Sequence, residues 1–229
     1  MRRLPRHVAL LLLATATAGA CSVPAREPVV APSAVLMVRP KLVAGPRNEG
    51  CAVVLGAAQI LTCAHVIPAD ASEYTIGNTV VRRRPGAAGA GRSAVPRITD
   101  DWTVVEMPET MDAIGSVDLQ SPIEPGTRVW IVGWKRGNDD GALSVYRREV
   151  VGAQVDRQDD DGFWCLRDVP DGDYAGLSGS PVVAMVGDEP VVIGMYCGFV
   201  AMRESVLGVT ISERREYVFI RPDLSQVRT

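Results

Sequence analysis

The chain has 229 residues with 24 Lys and Arg against 27 Asp and Glu, a formal net charge of -3 that argues against nucleic acid as a partner. Hydrophobic residues make up 47%, which excludes an intrinsically disordered composition and leaves a substantial core to bury, as one large domain or two half-sized barrels.

Residues 1–20 read as a secretory signal. Arg2, Arg3 and Arg6 precede an apolar run opening at Val8 to Leu13, too short and alanine-rich for a membrane span. Without those three arginines the charge of -3 becomes about -6. Ala18-Gly19-Ala20 fits the small-x-small rule for ordinary cleavage. The same residues with Cys21 resemble a bacterial lipobox, with Ala18 where leucine is usual. Two outcomes stand side by side: a secreted or periplasmic protein, or one anchored to the cell envelope through lipidated Cys21. Setting Cys21 aside leaves Cys51, Cys63, Cys165 and Cys197, an even set suited to two disulfides in an oxidising compartment. Residues 21–33, with Pro24, Pro28 and Pro32, read as an extended tether, and 34–229 as the folded domain.

Short β-branched segments then recur between turn residues: Ala34–Val38, Ala52–Leu55, Gln59–Thr62, Thr79–Arg84, Trp102–Met107, Arg128–Val132, Leu143–Val151, Phe163–Arg167, Pro181–Met185, Val191–Tyr196 and Leu207–Ile211. Such a pattern predicts an all-β sandwich or barrel. Ser212–Phe219 fits a helix or a strand. The strands form two groups around the Pro108–Gly126 connection, with a first unit over about 34–115 and a second over about 126–220. Arg82-Arg83-Arg84 reads as a solvated strand end entering the Pro85–Gly91 loop.

Cys51–Leu55 and Gln59–Cys63 look like the arms of a hairpin. If Leu55 pairs with Gln59, Cys51 lies opposite Cys63, within reach of a disulfide. Cys165 and Cys197 would then pair by elimination; four buried free thiols are the alternative.

Outside the signal, His65 is the one histidine, in Leu61-Thr62-Cys63-Ala64-His65-Val66. Far downstream lies the turn Gly176-Leu177-Ser178-Gly179-Ser180-Pro181. A serine hydroxyl is a poor nucleophile at neutral pH unless a base takes its proton, and only His65 is available to serve Ser178. Asp101 opens Asp101-Trp102-Thr103-Val104-Val105, where a carboxylate can orient a histidine; Asp100 is its adjacent rival. Cys63 sits in a strand, so a thiol nucleophile is disfavoured. No cofactor or metal is expected. One histidine and widely spaced cysteines cannot build the usual zinc site, and the acidic Asp156 to Asp161 stretch reads as a hairpin turn, not a calcium loop.

These residues resemble the chymotrypsin-like (trypsin-like) serine peptidases, in particular their bacterial exported branch. Thr62-Cys63-Ala64-His65-Val66 is similar to the histidine signature, Gly176 to Pro181 to the serine signature, and Asp101 to Val105 to the acid motif, with Thr103 where alanine is usual. The resemblance covers about 34–220. It implies two six-stranded-type antiparallel β-barrels with the active site between them, acting on polypeptide through an acyl-enzyme on Ser178. It implies an oxyanion hole from the amides of Gly176 and Ser178, and Gly172 at the floor of a specificity pocket flanked by Asp171 and Asp173 and walled by Phe199. Leu177 replaces the aspartate that pairs with a liberated N-terminus in zymogen-type members, so activation cleavage is not expected. A protease fold kept as a binding module is the rival from outside enzymology. An α/β-hydrolase is disfavoured by triad order and by the missing second glycine of Gly-x-Ser-x-Gly. The sequence leaves the oligomeric state open.

Overall fold

Runs such as Cys51-Ala52-Val53-Val54 and Pro181-Val182-Val183-Ala184 are apolar at every position, and their side chains are buried on both faces of the strand. The computed structural model describes residues 26–41, 49–56, 58–67, 71, 73–82, 97–108, 111, 115–136, 146–206 and 209–226. The segment 1–20 expected to direct export, Cys21, Arg83 and Arg84, the 85–91 loop, residues 143–145 of one expected strand and 207–208 of another lie outside them.

Among the described residues there are thirteen strands: β1 (Val35–Lys41), β2 (Gly50–Gly56), β3 (Gln59–Thr62), β4 (Glu73–Ile76), β5 (Thr79–Arg82), β6 (Thr103–Glu106), β7 (Ser116–Val117), β8 (Arg128–Arg136), β9 (Tyr146–Gln158), β10 (Trp164–Arg167), β11 (Pro181–Val186), β12 (Glu189–Val206) and β13 (Val209–Ile220). The first six form one curled sheet in the order β5-β4-β1-β2-β3-β6. The second sheet runs β11-β8-β9-β10-β13-β12-β7, and a further β11–β12 pairing closes its six long strands into a barrel. The expected all-β double-barrel architecture is therefore present.

Differences from the sequence reading are local. Strands β4 and β7 were not expected. Tyr74 and Ile76 do alternate with less buried neighbours, but four residues give too short a period to stand out, and the two residues of β7 give none. Ser212–Phe219 is strand, because β13 pairs with β12 along nearly its whole length. Within the stretch read as a tether, Val30 is buried and its carbonyl accepts a hydrogen bond from Arg148 Nη2 at 2.5 Å. The packed structure thus reaches back before residue 34.

The hairpin register is as expected from Ala52↔Thr62 to Val54↔Ile60, with a bulge before Gly56↔Gln59. The expected bridges are not made: Cys51, Cys63, Cys165 and Cys197 are all free thiols. At Cys63 the chain leaves the sheet for a 3-10 turn over Ala64–Val66. Cys63 Sγ consequently faces Tyr196 O at 3.4 Å and Cys197 Sγ at 3.7 Å. Cys51 Sγ turns elsewhere, accepting from Trp134 N–H at 3.2 Å and lying 3.5 Å from Gly176 O. Cys165 Sγ approaches Glu216 Oε2 at 3.5 Å on the far strands of the second barrel.

The two sheets share one contiguous core. At their seam, Trp134 Nε1–H donates to Val35 O at 2.7 Å and Cys51 N–H donates to Ser178 O at 2.7 Å. Gly133 of β8 lies directly under the Ser178 loop: a Cβ there would press against Ser180 Oγ and come within 2.7 Å of Leu177 Cδ2. Leu177 is fully buried, so it cannot swing into solvent to make room. Gly133→Ala is therefore expected to destabilise the fold by about 1–3 kcal/mol through overpacking. Chemical denaturation monitored by tryptophan fluorescence measures it; an unchanged midpoint would show that the seam has slack.

Candidate functional site

His65 lies in the 3-10 turn that follows β3, and Asp101 follows a matching turn over Ile98–Asp100 that leads into β6. Because Thr62 pairs with Thr103 across β3 and β6, both residues emerge from the same end of neighbouring strands. Register alone brings them together. His65 Nδ1 is 2.6 Å from Asp101 Oδ2, and His65 N–H donates to Asp101 Oδ1 at 2.9 Å. Two contacts to one carboxylate fix both the ring and its backbone. The Asp101 side chain is 8% exposed and that of His65 41%, so the acid is shielded while the imidazole reaches solvent. Asp100, the adjacent rival, is exposed and makes none of the hydrogen bonds to His65.

Ser178 sits in a loop held from both barrels. Its carbonyl accepts from Cys51 N–H of the first, while Gly179 N–H donates to Tyr196 O at 2.8 Å and Tyr196 N–H donates to Ser180 O at 2.8 Å in the second. Thr62 Oγ1 donates to Cys51 O at 2.7 Å, tying the hairpin that carries His65 to the residue that holds Ser178. Gly179 has φ +87, and a Cβ on it would collide with the Cys51 carbonyl. Glycine is needed there both for its backbone angle and for the space. Gly176 has φ +88. Among the described residues, neither the Gly176 nor the Ser178 amide is donated to a protein acceptor, and Ser178 Oγ–H donates to Cys197 O at 3.3 Å.

A cleft of about 280 Å³ opens beside Ser178. Gly172, Asp173 and Phe199, expected from the sequence, all line it, together with Tyr174, Tyr217 and Arg215, which were not expected. Tyr217 and Arg215 lie some forty residues from Ser178, on a strand with no motif of its own; only pairing of β12 with β13 brings them in.

Cys63 Sγ, a His65 ring nitrogen and an Asp101 oxygen come within 4.8 Å of one another, a spacing that could hold a metal. To bind one, the Cys63 thiol would have to lose its proton and the His65–Asp101 contact would have to open. Burial, reinforced by Cys197 and then by the charge of Asp101, pushes that thiol far above its ordinary range. Burial likewise raises the Cys51 thiol, and Cys165 is pushed up to about 11, by burial first.

Two antiparallel barrels with a histidine–carboxylate pair at the seam and a glycine-flanked serine loop across from it define the chymotrypsin-like fold. The family model for the trypsin-like peptidase domain matches residues 50–195, and the chain belongs to that family, whose substrates are polypeptides. Among solved structures, the active form of the Rv3671c protease from M. tuberculosis is similar at 15% identity and TM-score 0.54, over 84% of this chain and 78% of that one. A serine endoprotease from Yersinia pestis is similar at 16% identity and TM-score 0.53, over 73% and 54%. The Tobacco Etch Virus protease is similar at 14% identity and TM-score 0.51, over 84% and 75%. At these identities the likeness is one of fold. No curated protein matches in sequence.

Thiols packed away from solvent react slowly with alkylating agents. Iodoacetamide at pH 7.5 is expected to leave Cys51, Cys63, Cys165 and Cys197 unmodified in the folded chain and to alkylate all four in denaturant without reductant. Peptide mass mapping reads both states, and a Cys51–Cys63 linked peptide would contradict the observed side-chain directions.

Proposed function

We propose that the chain is a serine endopeptidase working through an acyl-enzyme on Ser178. The observation that carries this reading is the His65–Asp101 contact at 2.6 Å, set across the barrel seam from the Ser178 loop. In this reading His65 takes the Ser178 Oγ proton as the oxygen attacks the peptide carbonyl, and Asp101 stabilises the imidazolium that results. The undonated amides of Gly176 and Ser178 receive the negative charge on the carbonyl oxygen. His65 then returns the proton to the leaving amine. Water, deprotonated by the same histidine, releases the acyl group and regenerates Ser178.

The donors are of most use if they stand in place before substrate arrives, and the loop geometry supports that. Leu177, where zymogen-type members carry an aspartate, is fully buried over Gly133. Burying a leucine side chain contributes about 2 kcal/mol, enough to anchor the loop without a newly liberated N-terminus. We therefore place the active state in the uncleaved mature domain. Arg2, Arg3 and Arg6 with the apolar run after them support export, and Ala18 to Cys21 supports either cleavage and release or lipid anchoring at the cell envelope.

The mature chain is expected to react with a fluorophosphonate probe without prior proteolysis, and Ser178→Ala to abolish labelling. His65→Ala should lower kcat/KM on the order of 10⁴-fold, with Asp101→Asn of comparable size, since the ring then loses its orienting acceptor. Labelling that persists in Ser178→Ala would overturn the assignment. A well-folded chain that neither labels nor cleaves would instead be a binding module on a protease fold.

A further inference from the structure

Among the described residues, the cleft beside Ser178 contains one cation, Arg215, that no carboxylate satisfies. Arg215 lies on β13, and the register Phe199↔Tyr217 and Ala201↔Arg215 puts Arg215, Tyr217 and Phe199 on one face of the β12–β13 ribbon. The Arg215 guanidinium stands 4.7 Å from the centre of the Phe199 ring, Phe199 meets Tyr217 edge-on at 6.5 Å, and Tyr217 meets Tyr174 edge-on at 5.3 Å. These contacts hold a flexible side chain against an aromatic wall.

Two of the acids nearby are committed elsewhere, while Asp171 and Glu149 act on Tyr174 through their charge. Glu216, next to Arg215 in sequence, points to the opposite face, where Arg157 takes one carboxylate oxygen at 2.6 Å and Arg214 the other at 2.8 Å. Among the described residues, Arg215 makes no ion pair. Asp173, the carboxylate in the cleft itself, accepts the Ala175 N–H at 3.0 Å through Oδ1, and its backbone carbonyl holds the Lys135 ammonium. That carboxylate is tied into its own turn with a cation beside it. Gly172, at the expected floor, adds no charge.

We propose that this cleft receives an acidic side chain, glutamate or aspartate, on the residue preceding the scissile bond, and that Arg215 is the residue that selects it. The inference rests on the serine-peptidase reading of the same site. A guanidinium fork matches a carboxylate in two parallel charge-assisted hydrogen bonds that an amide cannot equal, so the charged partner is favoured over its amide isostere. A lysine or arginine side chain would enter beside Arg215 and be repelled.

The test uses the mature chain with fluorogenic peptides that differ only at the residue before the cleaved bond: Glu, Asp, Gln, Asn, Lys, Arg, Ala and Phe. Rates are normalised to sites titrated by a fluorophosphonate probe. Glu or Asp should exceed Gln or Asn at least tenfold in kcat/KM. Arg215→Glu should reverse the preference toward Lys and Arg, while Arg215→Lys should keep the acidic preference at reduced strength. Circular dichroism confirms that each variant is folded. If labelled enzyme prefers Lys or Arg, cleaves Gln as well as Glu, or cleaves none of the series, the inference is overturned and the nucleophile assignment stands. If no probe labelling occurs, the serine-peptidase reading itself fails, and the inference falls with it.

Discussion

A single backbone hydrogen bond, from Cys51 N–H of the first barrel to Ser178 O of the second, sets the geometry on which the site depends. Worth only about 1 kcal/mol by itself, it gains its effect from what is attached at both ends. Cys51 is also gripped through its carbonyl by Thr62, three residues before His65. On the other side, Gly179 presses so closely on the Cys51 carbonyl that no side chain fits, and its own amide is fixed to Tyr196. His65 and Ser178 belong to different barrels, yet Ser178 is itself part of this contact and His65 follows three residues after Thr62, which grips Cys51. Their relative position is thereby decoupled from the long loops and sheet edges farther away.

His65 and Asp101 meet for a different reason. Their positions follow from antiparallel pairing of β3 with β6, and once Thr62 lies opposite Thr103 the two turns beyond the strand ends must face each other. The carboxylate is buried and the ring half exposed, an asymmetry suited to an acid that holds and a base that exchanges protons with what enters the cleft. The cysteines illustrate the converse. Cys51 and Cys63 occupy opposed positions in a correct register, but the 3-10 turn beginning after Cys63 rotates its side chain toward Cys197, while Cys51 is drawn to Trp134 and Gly176. Opposed positions bring two backbones together; side-chain direction decides whether sulfurs meet.

The cleft beside Ser178 is assembled in the second barrel by pairing of distant segments. Phe199, Tyr217 and Arg215 come from two strands joined over most of their length, so a change in register by one residue would turn this face away from Ser178. The bulge between Tyr196 and Gly198 also matters, because it presents the Cys197 carbonyl to Ser178 Oγ. Ser178, aromatic wall and cation are parts of one ribbon and one loop.

The sequence by itself determined the all-β class and the location of most strands, because β-branched runs and glycine-flanked turns are local signals that follow from backbone sterics. It singled out His65, Ser178 and an acid at Asp101 with Asp100 as its rival, and the resemblance to trypsin-like peptidases pointed to Gly172, Asp173 and Phe199. Tertiary structure alone decided between Asp101 and Asp100, since burial depends on which residue ends the turn inside the barrel. It alone revealed the free thiols, the docking of Val30, the role of Cys51 as the hinge between barrels and the presence of Arg215 in the cleft. Each of these arises from contacts between segments far apart in the chain, where direction and burial are set by packing and leave no periodic trace in the residues themselves.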